Sequence, residues 1–194
     1  MSVAAKVYNR LILNRIYNEV NSKLRPNQAG FRRGMSCVEQ IHTLRRIMEG
    51  ARDKHLPIIT TFVDFSKAFD SIDRTVMWQI LRAYGIPSKI VKAIRCLYDN
   101  SSSRVLVDNH LSEPFAVTTG VLQGDTLAPC LFVIVLDYAL QKTPPLYGFT
   151  TREQPQKILG DIDFADDISL LDSSEDNARD HLASLAEQAS YVGL

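Results

Sequence analysis

The stretch DIDFADDISLL, residues 161–171, holds four aspartates, Asp161, Asp163, Asp166 and Asp167, within seven residues, then turns apolar. Ile162 and Phe164 alternate with the acids on the way in, and Ile168 and Leu170 alternate with polar or small residues on the way out. Alternation with period two is the mark of a strand with one buried face. Residues 156–164 and 167–172 are therefore predicted to be two short strands, with Ala165, Asp166 and Asp167 at the bend. One face of that hairpin, carrying Ile158, Ile162 and Phe164, packs inward, and Asp161 and Asp163 share the opposite face. Unpaired carboxylates next to a core are costly. The pattern demands positive charge nearby, either from Arg or Lys side chains or from a divalent cation.

A second acidic strand end lies upstream. Pro57 opens the β-branched run PIITTFVDF (57–65), predicted to be a buried strand ending near Phe65. Asp64 closes it, and Asp70 and Asp73 follow at a helix start. Carboxylates from two strand ends can hold two Mg²⁺ ions about 3.5–4 Å apart for in-line phosphoryl transfer. Mg²⁺ takes carboxylate oxygens together with substrate phosphates, and these segments contain no His or Cys. Each acid also has a local explanation. Asp73 and Asp125 fit helix caps, Asp172 and Asp176 fit exposed charges at a helix start, and Asp-Asp fits a solvated turn.

Around these segments the chain reads as a mixture of helices and strands without regular βαβ alternation, which favours an α+β fold. Val3, Val7, Leu11, Leu13, Ile16 and Val20 fall near helical spacing over residues 2–22. LRPNQAGFRRG (24–34) is a loop. Ser36 and Glu39 form a capping box for a helix reaching Lys54. Asp73 caps a helix closed by Gly85, Pro87 starts another, and Asp108-Asn109 centres a β-hairpin. Residues 126–142 form an apolar helix, and a last helix follows Ser174.

At 194 residues, 45% hydrophobic and 23% charged, the chain is that of a folded domain, not a disordered one. Three widely spaced cysteines exclude a disulfide framework or zinc knuckle and fit an intracellular compartment, nuclear or cytoplasmic. The longest apolar run, residues 127–136, is too short for a membrane span and contains Pro129. The zero net charge hides an asymmetry. Residues 1–55 hold 11 Lys/Arg against 4 Asp/Glu, and residues 156–194 hold 2 against 9. A basic first third can hold polyanions and an acidic last third can hold cations, or both are solvated faces. Lys67 and Arg74 can pair with nearby acids. His42, His55, His110 and His181 show no ligand or triad spacing and read as surface or internally satisfied residues.

Three segments in order, FVDFSKAFDSID (62–73), GVLQGDTLAPCLFVIVLD (120–137) and FADDISLL (164–171), resemble motifs A, B and C of reverse transcriptases. The likeness is strongest to the LINE-type, non-LTR retrotransposon enzymes. The upstream KVYNRLILNRI and LRPNQAGFRRGMSCVEQI are similar to the segment preceding motif A, so the resemblance covers nearly the whole chain. It implies a right-hand polymerase palm, a small antiparallel sheet with packed helices, plus partial fingers. Residues 1–55 would be fingers and 56–194 palm. YVGL (191–194) resembles the opening of motif D, so the palm is expected to be truncated before its last elements, with no thumb.

The resemblance further implies a partial RNA-directed DNA polymerase domain, working with an RNA template, a DNA primer and deoxynucleotide triphosphates. Asp64, Asp166 and Asp167 would be the catalytic carboxylates. Mg²⁺, or Mn²⁺, would be bound by these three and by the backbone carbonyl of Phe65. Phe69 would lie under the sugar as a gate against a 2′-hydroxyl, Gln123 and Gly124 would touch the incoming nucleotide and template, and Arg32 and Arg33 would meet template phosphates. The segment alone is expected to be inactive. The rival readings are a catalytically inactive retroelement remnant with weak nucleic-acid binding, and another two-metal phosphodiester enzyme such as a nuclease.

Overall fold

The computed structural model describes residues 2–144, 148–151 and 154–194. Several of its helices begin where a side-chain cap satisfies free N–H groups of the first turn. Helix α1, Val3–Lys23, starts at Ser2, whose hydroxyl accepts from the Ala5 N–H. Helix α2, Cys37–Asp53, carries both bonds of the Ser36–Glu39 capping box. After the one-turn α3, Ala68–Ser71, α4, Arg74–Ala83, is capped by the Asp73 carboxylate on Thr75 and Val76. Helices α5, Ser88–Tyr98, α6, Ala128–Lys142, and α7, Glu175–Val192, complete the set among the described residues.

Helix α6 is the centre of the core. Leu131, Phe132, Ile134, Val135 and Leu136 have no exposed surface, as expected of a helix that is apolar all round. Each such side chain contributes about 1.5–3 kcal/mol relative to exposure. α6 packs against α4 and α7, and Ile12, Ile16 and Val20 of α1 join the same cluster. The helical period of α1 is as read from the sequence, but Val3, Val7 and Leu11 lie on its exposed face. The core stripe runs through Asn9, Ile12, Ile16 and Val20 instead.

The main sheet is antiparallel, in the order β1, Ile59–Val63; β9, Asp167–Asp172; β8, Asp161–Phe164. Val63 pairs with Ile168 and Ile59 with Asp172. Phe164 pairs with Asp167 across the two-residue loop Ala165-Asp166. Ala165 takes the left-handed conformation, φ 57°, that a primed hairpin turn requires at its first loop position. Beside this sheet lie three two-stranded ribbons. They are β2, Ser102–Ser103, with β5, Phe115–Ala116; β3, Leu106–Val107, with β4, His110–Leu111; and β6, Phe149–Thr151, with β7, Gln154–Leu159. Asp108 and Asn109 both adopt positive φ, so the predicted hairpin turns where expected.

Two strand expectations need correction. Residues 57–65 do not form a fully buried strand. Among the described residues β1 has a single strand partner, and Phe62 is 72% exposed. The predicted strand 156–164 is two. The chain breaks at Gly160, whose carbonyl accepts from the Leu171 N–H, so β7 pairs with β6 while β8 joins the main sheet. The sheet is also covered on both faces near β8. Ile162 and Leu171 pack with Ala51 of α2 and Phe149, and the opposite face carries the buried Asp161 and Asp163. Among the described residues no helix is long and apolar enough to cross a membrane.

Candidate active site

The counter-charge that Asp161 and Asp163 demand is Arg25. Its guanidinium donates through Nη1 to Asp161 Oδ2, through Nη2 to Asp163 Oδ2 at 2.7 Å and through Nε to Asp137 Oδ1 at 3.0 Å. Asp137, inside α6, also accepts from the hydroxyl of Tyr84 at 2.6 Å and from Gln141 at 2.8 Å. Asn27 donates to the backbone and side chain of Asp161. Burial alone lowers the Arg25 pKa, but the three carboxylates outweigh it and raise the value above its ordinary level. Burial holds the Asp163 carboxyl well above the usual range, and the charge of Asp161 and a bond with it add to the effect, while Arg25 opposes it. Burial, reinforced by Asp137, likewise pushes the Tyr84 hydroxyl upward. Two of the four aspartates in the opening stretch are thus parts of a buried ionic knot that joins residue 25 to β8 and α6.

The other two stand at the open corner of the sheet. Asp166 is half-buried in the loop, and Asp167, the first residue of β9, is exposed. Asp64 lies one residue beyond β1, exposed, with Phe65 next to it. Since Val63 pairs with Ile168, one further step of the register sets Asp64 across from Asp167. Backbones distant in sequence therefore end at one corner. Among the described residues no three His, Cys, Asp or Glu side chains converge closely enough to hold a metal ion. Like charges facing each other on adjacent strands repel, and the fold joins the two segments without gathering the three carboxylates at one point.

Phe69, Gln123 and Gly124 line one open cleft of about 650 Å³, together with Lys6, Asp125, Thr126 and Pro129. Phe69 belongs to core and cleft at once. Its ring stacks on Phe132, centroids 4.6 Å apart at 15°, and meets Phe31 edge-on. Gln123 donates to the Asp70 carboxylate at 3.0 Å. Gly124 has φ +78°, and space around it is open, so the backbone is bare on the cleft side. The segments before and after the cleft are laced together. Val121 N–H donates to Phe69 O and Gly120 N–H to Ile72 O, while a Cβ on Gly120 would overlap the backbone of Asp70.

Several sequence-based roles change. Among the described residues Arg74 forms no salt bridge; it donates to the carbonyls of Gly120, Val117 and Tyr98 and to the Ser101 hydroxyl. Lys67 takes a left-handed backbone at the N-cap of α3. Asp172 is not an exposed charge but is buried against His181. Asp125 is buried and accepts from Leu127 N–H and Asn9. Arg32 is turned inward, onto Asn21 and the carbonyls of Arg25 and Gln28. A phosphate contact from it would compete with those bonds. Arg33 is exposed and lies over the Tyr17 ring, 4.5 Å from the centroid. Sequence reasoning missed Arg25, Asn27, Gln28 and Asp137. The one signal for Arg25 was the demand for positive charge opposite a basic first third.

Comparison with known proteins fits this architecture. The family model described as reverse transcriptase (RNA-dependent DNA polymerase) matches residues 1–194. The chain is 28% identical over 193 residues to the Retrovirus-related Pol polyprotein from type-2 retrotransposable element R2DM of Drosophila melanogaster. It is 30% identical over 177 residues to the probable RNA-directed DNA polymerase from transposon BS of the same fly. It spans 18% and 19% of their lengths, and 100% and 90% of its own. Among solved structures, telomerase of Candida tropicalis, in complex with a TWJ fragment of telomeric RNA, superposes with a TM-score of 0.66. That match has 11% identity and covers 99% of this chain and 32% of the telomerase chain; at that identity it speaks for the fold. The chain belongs to the reverse transcriptase (RNA-dependent DNA polymerase) family, in its LINE-type, non-LTR retrotransposon branch.

Proposed function

We propose that this chain is the palm, with part of the fingers, of an RNA-directed DNA polymerase acting within a longer polyprotein. Residues 1–55 would serve as fingers and 56–194 as palm. The observation that supports the reading is the register of β1 on β9, Val63 opposite Ile168, which continued by one step would face Asp64 towards Asp167 at the end of the loop that holds Asp166. The family works with divalent metal ions, and we assign Mg²⁺, with Mn²⁺ as a substitute. Asp64, the carbonyl of Phe65, Asp166 and Asp167 are an all-oxygen donor set, which suits a hard cation. Bound ions of this kind lower the pKa of a primer 3′-hydroxyl and neutralise the departing pyrophosphate.

The chain's own residues do the rest. Phe69 is backed by Phe132, so its ring cannot retreat from a 2′-hydroxyl without losing that stack; deoxynucleotides are the fitting substrates. Gln123, steadied by Asp70, borders the nascent pair, and bare backbone at Gly124 lets it approach. Arg33, over Tyr17, is an exposed cation of the fingers segment suited to template phosphate, a contact blind to sequence. Free cysteines at positions 37, 96 and 130 fit an intracellular setting. The rival reading, an inactive remnant, predicts only weak, salt-sensitive binding.

The test is primer extension on RNA by this segment within a polyprotein that supplies the remaining elements. Asp64→Ala and Asp166→Ala each lower kcat by at least about 10²–10³-fold, the scale of removing a preorganised electrostatic group. Extension that survives both changes rejects the assignment, and hydrolysis without incorporation identifies a nuclease instead.

A further inference from the structure

We propose that Gln28 is a positioning residue for the aspartate loop, gripping the Ala165 residue through both its N–H and its C=O so that Asp166 is presented to the metal site in a preset orientation. The inference rests on the polymerase reading above. Gln28 has no exposed surface. Its Oε1 accepts from Ala165 N–H at 2.8 Å and from Gly30 N–H at 2.7 Å, and its Nε2 donates to Ala165 C=O at 3.1 Å. A buried amide is favourable only when its polar atoms are bonded, and here two of the three bonds go to one residue, the one before Asp166.

That residue needs holding. Ala165 is non-glycine at φ 57°, a conformation that persists where surroundings over-determine it. The loop around Gln28 is docked along the outer edge of β8. Ala29 N–H donates to Asp163 O, Asp163 N–H donates to Asn27 O, and residues 28 and 163 form a parallel bridge. Gly30 then lies so close to the turn that a Cβ there would overlap the backbone of Ala165. Phe31, one residue on, touches the ring of Phe69. Four consecutive residues, 28–31, thus bridge the aspartate loop and the cleft wall. Arg32 fixes the bridge from behind through the carbonyls of Arg25 and Gln28.

The test uses the 194-residue chain without substrate. Amide exchange followed by NMR reads the grip, and a Mn²⁺ titration followed by electron paramagnetic resonance reads its consequence. In the unmutated chain the Ala165 N–H exchanges as slowly as core amides of α6. Gln28→Met keeps the volume and removes the bonds; it speeds Ala165 exchange at least about tenfold, leaves α6 amides unchanged and weakens Mn²⁺ binding about tenfold. Gln28→Glu keeps the acceptor for both N–H groups but loses the donor to the Ala165 carbonyl, and restores only part of the protection. A Gln28→Met chain that binds Mn²⁺ like the parent overturns the positioning role. If that variant does not fold, rapid exchange of Ala165 in the unmutated chain overturns it equally. A parent chain without Mn²⁺ affinity, or an Asp166→Asn variant that keeps it, overturns the polymerase reading instead, and the grip is then decided by the exchange of Ala165.

Discussion

Replacing Arg25 with methionine removes one guanidinium and leaves three carboxylates facing one another. Asp137 and Asp163 have no exposed side-chain surface, Asp161 has 11% and Arg25 itself 17%. Deleting one partner of a buried ion pair costs about 3–5 kcal/mol, because the remaining charge is stranded. Asp163, held above the usual carboxylate range by burial, can limit the damage by taking up a proton, so the three partners do not triple the loss. For a chain of this size a kcal/mol is about 2–4 °C, and the midpoint should fall by about 6–20 °C. Thermal unfolding followed by Trp78 fluorescence measures the midpoint, and urea unfolding the free energy, since that ring is buried. The pH dependence carries the sign. Without the guanidinium, which opposes the upward push on the Asp163 carboxyl, that group rises further in the folded state, so the folded variant binds its proton more tightly than the unfolded chain. The variant's stability is present at low pH and drains away as pH rises through the raised value. The deficit against the parent is therefore larger at pH 7 than at pH 5. Arg45→Met, at an exposed i,i+4 pair, serves as the control and leaves the midpoint in place. A loss below about 1 kcal/mol at pH 7, or a deficit that shrinks as pH rises, would refute the reasoning.

Asp163→Asn replaces a carboxyl already biased toward its neutral form. In the parent that raised value makes stability fall as pH climbs from the ordinary carboxylate range through it, and the variant should show a flatter pH–stability profile with its midpoint near pH 4 unchanged. Asp73→Ala removes the cap of α4, bonded to Thr75 and Val76 N–H at 2.6 and 3.0 Å, and should cost about 0.5–2 kcal/mol in urea unfolding. Burial pushes the Cys130 thiol up to about 12, while Cys37 and Cys96 are exposed. A thiol reagent at pH 8 should label those two in the native chain and reach Cys130 only after denaturation; rapid labelling of all three contradicts the packing.

What could be read from the sequence is what is decided locally. Ser36 and Glu39 lie three residues apart, so their capping box is written in a single turn. Asp108-Asn109 needs only its own two backbone conformations. The apolar run in α6 marks the core because no solvent face interrupts it. The ionic knot was illegible in position, though not in principle. Alternation gave Asp161 and Asp163 a shared face and a need for positive charge, yet Arg25 stands in a loop and reaches them only through the tertiary fold. Asp172 misled for the same reason, since its partner His181 comes from the facing side of α7. β1 looked buried because Ile, Phe and Val suit either a central or a peripheral strand, and periodicity cannot count a strand's neighbours. For the candidate site, the sequence pointed to Asp64, Asp166 and Asp167, and the register brings their backbones to one corner. The grip of Gln28 on Ala165 had no signal, because an amide in a loop has no period.

The contacts of Arg74 carry a consequence for evolution. Three of its four partners are main-chain carbonyls, those of Tyr98, Val117 and Gly120. Every amino acid offers the same carbonyl, so position 117 is free to drift while the clamp persists. Pairs of positions that change together across many relatives would reveal little of this clamp, although it ties the ribbon root to the start of α4. Apart from the arginine itself, only the Ser101 hydroxyl and the Tyr98 ring beneath the guanidinium could leave a trace.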